Sequence, residues 1–289
     1  MENAIVVKNL RKNYKDFQLK DISFSVPKGC IMGFVGENGA GKTTTLKGIL
    51  NLINRDGGSV EIFGMDNIKD EKKIKEDIGV VFDECCFYDS LNPKESSKIM
   101  KRIYKNWDEK IFNDYLKKFQ IPDKKIIQEF SKGMKMKLSI AIALSHKPKL
   151  LIMDEATSGL DPIVREEILD IFLDFIQDEE HSILMSTHIT GDLDKIADYI
   201  TFINNGEIIF SKSKDELSYN MGIVKCGKKE FENIDKDFIV SYRKNNFGYE
   251  ILTNKKEMFI DKYQDIVVDK ASIEDIMLFY IRGERKWVD

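Results

Sequence analysis

The residues best suited to chemistry lie in a glycine-rich stretch near the N-terminus. Residues 36–44, GENGAGKTT, follow an apolar run at 31–35 and precede a segment with helical spacing. They match the phosphate-loop pattern of glycine, four residues, glycine, lysine and serine or threonine, in the strand-to-helix setting that it requires. Glycines let backbone N–H groups surround phosphate oxygens, and the helix N-terminus adds unpaired donors. The stretch therefore predicts a nucleoside triphosphate site.

Two side chains of this loop have separate predicted roles. Lys42 supplies a point charge for the outer phosphates, and the Thr43 hydroxyl is placed to ligate the Mg²⁺ that accompanies ATP or GTP. A glycine turn that merely joins a strand to a helix is the alternative, and the lysine–threonine pair at this offset argues against it. The predicted nucleotide-binding residues of the loop are Gly36, Glu37, Asn38, Gly39, Ala40, Gly41, Lys42, Thr43 and Thr44.

A second group of candidates follows two predicted strands of the core. Residues 150–153 are apolar without alternation, which is typical of a strand covered on both faces, and Asp154 and Glu155 follow. Asp154 is predicted to support the Mg²⁺ shell through water. Glu155 is predicted to orient and deprotonate a water that attacks the γ-phosphate, with an exposed loop glutamate as the alternative. His188 ends the next strand, at the sheet edge where ligands bind in α/β folds, and is predicted to reach the γ-phosphate.

The elements that position these residues follow from the hydrophobic pattern. Alternation over 4–26 predicts an antiparallel β layer, and strands then alternate with helices as a parallel α/β sheet demands. A helical insert is predicted at about 84–147, with helix caps at Asn92, Asp108 and Ser131.

Domain organisation follows from the same pattern. A hairpin at 204–206, Asn-Asn-Gly, closes the predicted nucleotide-binding domain, which we expect over residues 1–217. Alternating segments and a final helix predict a small α+β appendage over 218–289.

Composition restricts the class of partner. The 289 residues contain 45 Lys and Arg against 49 Asp and Glu, so the net charge of -4 does not predict nucleic acid binding. No apolar run approaches the roughly 20 residues needed to span a bilayer, and no signal-peptide pattern is present, so we expect a soluble intracellular chain. Cys30, Cys85, Cys86 and Cys226 lack the spacing of a zinc site or disulfide framework and are expected to be reduced thiols.

The ordered motifs GENGAGKTT, FSKGM, LLIMDE, SGLD and MSTH resemble the ATP-binding cassette (ABC) family over about residues 5–210. The resemblance is to the nucleotide-binding subunit of an ABC transporter, with a P-loop NTPase core. It implies that Tyr14 stacks on adenine, that Ser131 and Gly133 touch the γ-phosphate bound by a second subunit, and that Asp161 couples the two sites. Hydrolysis would then need a dimer, which we expect to be a homodimer, and Ser131 and Gly133 lie at a predicted helix N-terminus, which is a natural anion site.

The same resemblance implies ATP and Mg²⁺ as cofactors, and a separately encoded membrane permease that holds the chain at the inner face of the cell membrane. FSKGM is similar to the signature of single-cassette subunits that serve bacterial ABC-2-type exporters.

Three positions depart from the family pattern. Asp83 replaces a glutamine, and as an acceptor that cannot donate it would bring a further charge towards Mg²⁺. Lys132 replaces a glycine, where it would add a cation near the phosphates or point to solvent, and Met134 replaces a glutamine.

Three functions are consistent with the motifs. The first is an ATPase subunit that drives a permease, with Cys85, Phe87, Tyr88 and Met100 forming an apolar groove for a permease helix or else packing in the core. The second is a soluble ABC ATPase acting on ribosomes or nucleic acid, although such relatives usually carry two cassettes or a long heptad insertion, and neither is present. The third is a weakly hydrolysing nucleotide sensor, motivated by Asp83.

Overall fold

The computed structural model describes residues 2–83 and 87–284, and its contacts divide the chain into two compact units. The first unit lies within residues 1–189 and 201–211, and the second within 190–200 and 212–289. The domain boundary near residue 217 stays a prediction. Among the described residues, no helix is both long and apolar enough to cross a bilayer.

The elements up to the eighth strand all belong to the first unit. In chain order they are β1 (Asn3–Asn13), β2 (Gln18–Pro27), β3 (Ile31–Val35), α1 (Lys42–Ile49), β4 (Gly57–Ile62), β5 (Met65–Asp66), α2 (Glu71–Glu76), β6 (Ile78–Val81), α3 (Pro93–Ile103), α4 (Glu109–Lys118), α5 (Lys132–Leu144), β7 (Leu150–Asp154), α6 (Pro162–Phe175) and β8 (Ser182–Thr187), with a 3-10 turn at Ile127–Glu129 before α5.

The remaining elements complete the first unit and build the second. In chain order they are α7 (Thr190–Ile196), β9 (Tyr199–Asn204), β10 (Glu207–Ser213), α8 (Lys214–Asn220), β11 (Gly222–Cys226), α9 (Lys228–Asn233), β12 (Ser241–Lys244), β13 (Tyr249–Thr253), α10 (Lys256–Lys262), β14 (Val268–Lys270) and α11 (Ile273–Arg282), with a 3-10 turn at Lys236–Phe238.

A six-stranded sheet in the order β10-β9-β3-β8-β7-β6 carries the core of the first unit. β3, β8, β7 and β6 pair in parallel, and every residue of β3, β7 and β8 is buried. Strands covered on both faces have no solvent side for polar residues, which explains their unbroken apolar sequences. The carboxyl ends of these strands meet at one edge, so the loops after β3, β7 and β8 lie together.

The second sheet of the first unit is antiparallel, in the order β2-β1-β4-β5. β1 pairs with β2 on one side and β4 on the other, and it buries Ile5, Val7 and Leu10 while the charged Lys8 and Arg11 are exposed. Together with the parallel sheet, this confirms the predicted α/β P-loop fold with an antiparallel β layer.

The helices of the insert begin at the predicted caps. Asn92 Oδ1 accepts a bond from the Glu95 N–H at 3.0 Å, and Glu95 Oε2 accepts one from the Asn92 N–H at 3.0 Å. Asp108 Oδ1 accepts bonds from two N–H groups at the start of α4. Ser131 Oγ accepts one from the Met134 N–H at 3.2 Å, which starts α5. These bonds satisfy N–H groups that have no partner within the first helical turn.

The hairpin between β9 and β10 also forms as predicted. Asn205 and Gly206 have φ angles of 47° and 75°, which a two-residue hairpin turn of this kind requires. A Cβ at Gly206 would lie 1.9 Å from the Gln18 carbonyl oxygen, so this position needs glycine for space as well as for φ.

The second unit contains a small antiparallel sheet in the order β12-β13-β11-β14. Its buried cluster consists of Val224, Cys226, Ile234, Phe238, Tyr242, Ile251 and Phe259. The final helix, α11, packs against α7 and β12 and buries Ile273, Ile276, Met277 and Phe279. The predicted α+β character of the C-terminal region is therefore present in the fold.

Candidate nucleotide-binding and hydrolysis site

The phosphate loop joins β3 to α1, as predicted. Gly39 and Gly41 have φ angles of 82° and 114°, which side chains rarely allow. A Cβ at Gly36 would lie 2.4 Å from the Ile203 carbonyl oxygen, so the loop passes close to β9. No side chain caps the N-terminus of α1, which begins directly after Gly41. The N–H groups of its first turn are therefore suited to bind an anion.

Lys42 is the most buried ion of the site, with a side chain only 4% exposed. Its Nζ donates to the carbonyl oxygens of Gly36, at 2.8 Å, and Glu37, at 3.3 Å, which point inward from the loop. The same ammonium lies 3.2 Å from Glu155 Oε1. A buried ammonium is stable only with several such partners, and these acceptors hold the lysine against the loop.

Glu155 links Lys42 to His188. Its other oxygen, Oε2, lies 2.6 Å from His188 Nδ1. Glu155 follows β7 with a φ of 53°, and its N–H donates to the Ser186 carbonyl oxygen of β8 at 3.0 Å. The left-handed backbone turns the carboxylate out of the strand direction, and the bond to β8 fixes the turn. Ammonium, carboxylate and imidazole thus form one connected row.

Asp154 ends β7, directly before Glu155, and is 6% exposed. Its Oδ1 accepts a bond from Ser186 Oγ at 2.5 Å, and the two residues are opposite each other in the β7–β8 pairing. This bond partly compensates the burial of a charged group. Ser186 was not identified from the sequence, since a serine inside an apolar strand gives no distinct signal.

A cleft of about 610 Å³ opens beside these groups. Its lining includes phosphate-loop residues, Asp83, Glu155 and His188, which the sequence predicted, and also Phe17 and Ser158, which it did not. The volume lies in the range of small-molecule sites. In the sequence, Phe17 looks like any aromatic residue at the end of a strand. Its role in the cleft wall follows only from its position next to Gly41, whose Cβ, if present, would lie 2.9 Å from the Phe17 ring.

Tyr14 sits in the turn between β1 and β2, upstream of the second strand as predicted. The residue is 45% exposed, its N–H donates to the Phe17 carbonyl oxygen at 2.8 Å, and Lys12 Nζ lies 5.5 Å from the ring centre. Tyr14 does not line the cleft, although the turn that carries it brings Phe17 there. Its role toward adenine stays a prediction.

Ser131, Gly133 and Asp161 lie outside the cleft that contains Lys42. Ser131 and Gly133 are at the N-terminus of α5, and Asp161 caps α6 by accepting bonds from the N–H groups of Ile163 and Val164, both at 3.1 Å. A Cβ at Gly133 would contact Val164 at 3.5 Å, so α5 and α6 begin side by side. None of these three residues lines the cleft that contains the chain's own Lys42.

The oxygen donors near the cleft match the preference of Mg²⁺. Thr43 offers an exposed hydroxyl in the cleft lining, Asp83 a carboxylate at its mouth and Asp154 a buried carboxylate. Mg²⁺ favours such hard ligands and usually keeps several waters while it also binds substrate phosphates. Within residues 2–83 and 87–284, no three His, Cys, Asp or Glu side chains converge as a metal cage. The donor set thus fits a cation held largely by a nucleotide.

Asp83 and Lys132, two of the departures from the family pattern, contact each other. Lys132 Nζ lies 2.7 Å from Asp83 Oδ1, and the two side chains are 48% and 47% exposed. Lys132 is therefore neither free in solvent nor within the cleft lining. The spacing of 49 residues between them gave no sign of this pair.

Comparison with known proteins agrees with the motifs. The family model for ABC transporters matches residues 19–158. The bacitracin transport ATP-binding protein BcrA of Bacillus licheniformis is 35% identical over 75% of this chain and 72% of its own length. The chain belongs to the ABC transporter family. As an ABC ATPase subunit it binds and hydrolyses ATP.

Two further comparisons show how much of the chain resembles known ABC subunits. The ABC transporter ATP-binding protein YtrB of Bacillus subtilis is 29% identical over 93% of this chain and 94% of its own length, a span that includes most of the second unit. A solved ATP-binding subunit of an ABC transporter has a TM-score of 0.67 and 26% identity, and it covers 75% of this chain and 92% of that chain.

Proposed function

We propose that this ABC subunit hydrolyses ATP in a dimer and drives a separately encoded membrane permease, for export. The observation that carries the hydrolytic assignment is Glu155, which lies between Lys42 and His188 beside the phosphate loop. A carboxylate so placed can take a proton from water, and the ammonium beside it can stabilise negative charge on phosphate oxygens.

Each residue of the row has a proposed role. Lys42 binds the outer phosphates, Glu155 orients and deprotonates the attacking water, and His188 holds Glu155 and meets the γ-phosphate. Thr43 and Asp154, with Asp83 at the cleft mouth, would hold Mg²⁺, Asp154 through water. The cation would neutralise phosphate charge when bound. The phosphate loop residues Gly36 to Thr44 bind the phosphates through their N–H groups.

Two aromatic residues are proposed for the nucleoside. Tyr14 is proposed as the residue that stacks on adenine, since the residue is 45% exposed, and Phe17 is proposed as the adjoining apolar wall. Alanine at either position should weaken binding of a fluorescent ATP analogue several-fold. Equal affinity for both variants and the wild type would contradict the proposal.

The dimer is proposed because Ser131, Gly133 and Asp161 lie outside the chain's own cleft. The N-terminus of α5 carries donors and a positive dipole end, which suit a phosphate brought by a second subunit. Ser131→Arg should then abolish ATP-dependent dimerisation in sedimentation experiments and leave binding of a fluorescent ATP analogue to the monomer unchanged. A hydrolysis rate strictly proportional to protein concentration would count against a dimer that forms during turnover.

The insert offers a place for the permease. A recess of about 160 Å³ is lined by apolar residues that include Phe87 and Met100, and Tyr104 and His146 form its polar side. Tyr88, which was predicted to share this groove, is 81% exposed and does not line it. Cys85 lies outside the described residues. We propose that a helix of the permease inserts an apolar side chain here and holds the chain at the inner membrane face.

Capture of the permease tests this surface. Phe87→Asp should abolish co-purification of the membrane protein that binds the wild type, because the charge would enter an apolar recess. Tyr104→Phe, which keeps the ring, serves as a control and should retain capture. Undiminished capture by Phe87→Asp would refute the docking surface.

The direction of transport is proposed from the FSKGM signature, and uptake of substrate into inside-out vesicles on ATP addition would support export.

A further inference from the structure

Two departures from the family pattern come together in the folded chain. Asp83 stands two residues beyond β6, at the mouth of the nucleotide cleft, and Lys132 is the first residue of α5. Their charged atoms are 2.7 Å apart, which is the distance of a charge-assisted hydrogen bond. Asp83 and Lys132 each replace a neutral residue of the family pattern, so the two changes introduce opposite charges that compensate each other.

The ammonium of Lys132 is confined by a second neighbour. A Cβ at Gly159 would lie only 3.3 Å from Lys132 Nζ, and Gly159 has a φ of 68°, which favours glycine. The lysine side chain therefore runs between the SGLD segment and Asp83. Lys132 thus contacts two segments of the nucleotide site, although it does not itself line the cleft.

A second ion pair on α5 gives a natural comparison. Lys135, one turn further along the helix, lies with its Nζ 2.9 Å from Asp89 Oδ1. Both pairs join α5 to the stretch between β6 and α3. Only the Lys132 pair has a member, Asp83, that faces the cleft.

We propose that Lys132 is a positioning residue that competes with the divalent cation of the nucleotide for the carboxylate of Asp83. This rests on the proposed function, because it requires a Mg²⁺-nucleotide in the cleft. A carboxylate oxygen that accepts from an ammonium is a poorer ligand for a cation, so binding of the cation weakens the Lys132 pair. The Asp83 carboxylate must leave Lys132 before it can bind the cation. The apparent affinity for Mg²⁺ is therefore lower when the Asp83–Lys132 pair is more stable.

Release of the pair has a structural consequence. The Asp83–Lys132 bond ties the segment after β6 to the first turn of α5, which carries Ser131. Occupation of the cleft by a Mg²⁺-nucleotide would loosen this tie. The bound cation and the N-terminus of α5 are then thermodynamically coupled, and the coupling acts in both directions.

The test is a Mg²⁺ titration of nucleotide binding without turnover. The full-length chain is mixed with a fluorescent, non-hydrolysable ATP analogue, and the Mg²⁺ concentration for half-maximal binding is measured. Lys132→Met should lower this concentration about 1.5- to 5-fold, the range that a half-exposed ion pair supports. Asp83→Asn should raise it, and the double variant should behave like Asp83→Asn because no carboxylate is left to compete for. Lys132→Arg, which keeps the pair, should resemble the wild type.

Lys135→Met is the matched control and should leave the titration unchanged. The inference is overturned if Lys132→Met leaves the half-maximal concentration unchanged or raises it, or if Lys135→Met lowers it equally. Lys132→Gln provides a second neutral variant should the methionine variant fail to fold. Failure of the wild type to bind the analogue in a Mg²⁺-dependent way would instead refute the proposed function.

Discussion

Replacement of Glu155 by glutamine should stop hydrolysis while nucleotide binding persists. Glutamine keeps the size of the side chain and an oxygen that can accept from Lys42, but it cannot take a proton from water. Loss of a general base costs about 10²- to 10⁴-fold in rate. This corresponds to about 3–5 kcal/mol in the activation free energy.

The affinity for ATP should rise in the same variant. The Lys42 and Glu155 side chains are 4% and 17% exposed and 3.2 Å apart, so their gross attraction is about 5 kcal/mol at an effective dielectric constant of ~20. Most of this is offset by desolvation, and glutamine retains the hydrogen bond. The lysine nonetheless becomes more available to phosphate, and a negative charge beside the γ-phosphate is removed. We expect about 2- to 10-fold tighter binding, or about 0.4–1.4 kcal/mol.

Two assays on the purified chain with its permease separate these effects. Phosphate release gives turnover, and titration with a fluorescent ATP analogue gives affinity. Glu109→Gln is the control, because Glu109 also lies 3.2 Å from a lysine, Lys101, but both side chains are more than half exposed. It should change neither quantity. Turnover above about a tenth of the wild-type rate in Glu155→Gln would refute the general-base assignment. Loss of binding would show that Glu155 supports Lys42 structurally instead.

Three further predictions concern backbone strain and buried titratable groups. Gly41→Ala should cost about 1–3 kcal/mol in the free energy of unfolding and abolish ATP binding, because φ is 114° and its Cβ would lie 2.6 Å from Leu19. Gly64→Ala, at a φ of 73° with open space, should cost less in a urea titration and retain binding. Burial lowers the pKa of His146 from its ordinary value of 6.5, so its stabilising contribution is complete above pH 6.5 and is lost as the pH falls, by up to about 1.4 kcal/mol per unit. Thermal unfolding from pH 8 to 5 should show a shallower slope for His146→Phe, and equal slopes would contradict this. Burial also raises the pKa of Cys226 to about 11, so iodoacetamide at pH 8 should alkylate it only after unfolding, as peptide mass spectrometry would show.

Local features of the chain were accessible from the sequence because their causes lie within a few residues. The positive φ angles of the phosphate loop follow from its glycines, and the caps at Asn92 and Ser131 follow from side chains that reach N–H groups three residues away. The unbroken apolar strands follow from burial on both faces. The order of motifs along the chain was then sufficient to indicate the family.

Contacts between distant residues were decided by the order of strands in the sheet. Glu155 and His188 are 33 positions apart, and they meet because β7 and β8 are parallel neighbours whose carboxyl ends share one edge. Phe17 reaches the cleft only because the antiparallel layer folds over the phosphate loop.

The amino-acid sequence by itself determined the phosphate loop, the buried strands and the identity of the residues at their ends. Only the tertiary structure decided that Asp83 faces Lys132 and that Ser131 does not line the chain's own cleft. Periodicity and capping depend on neighbours in the chain and so can be inferred from sequence. The partners of an exposed charge depend on which segments the crossovers bring side by side, and that information appears only when the sheet is assembled.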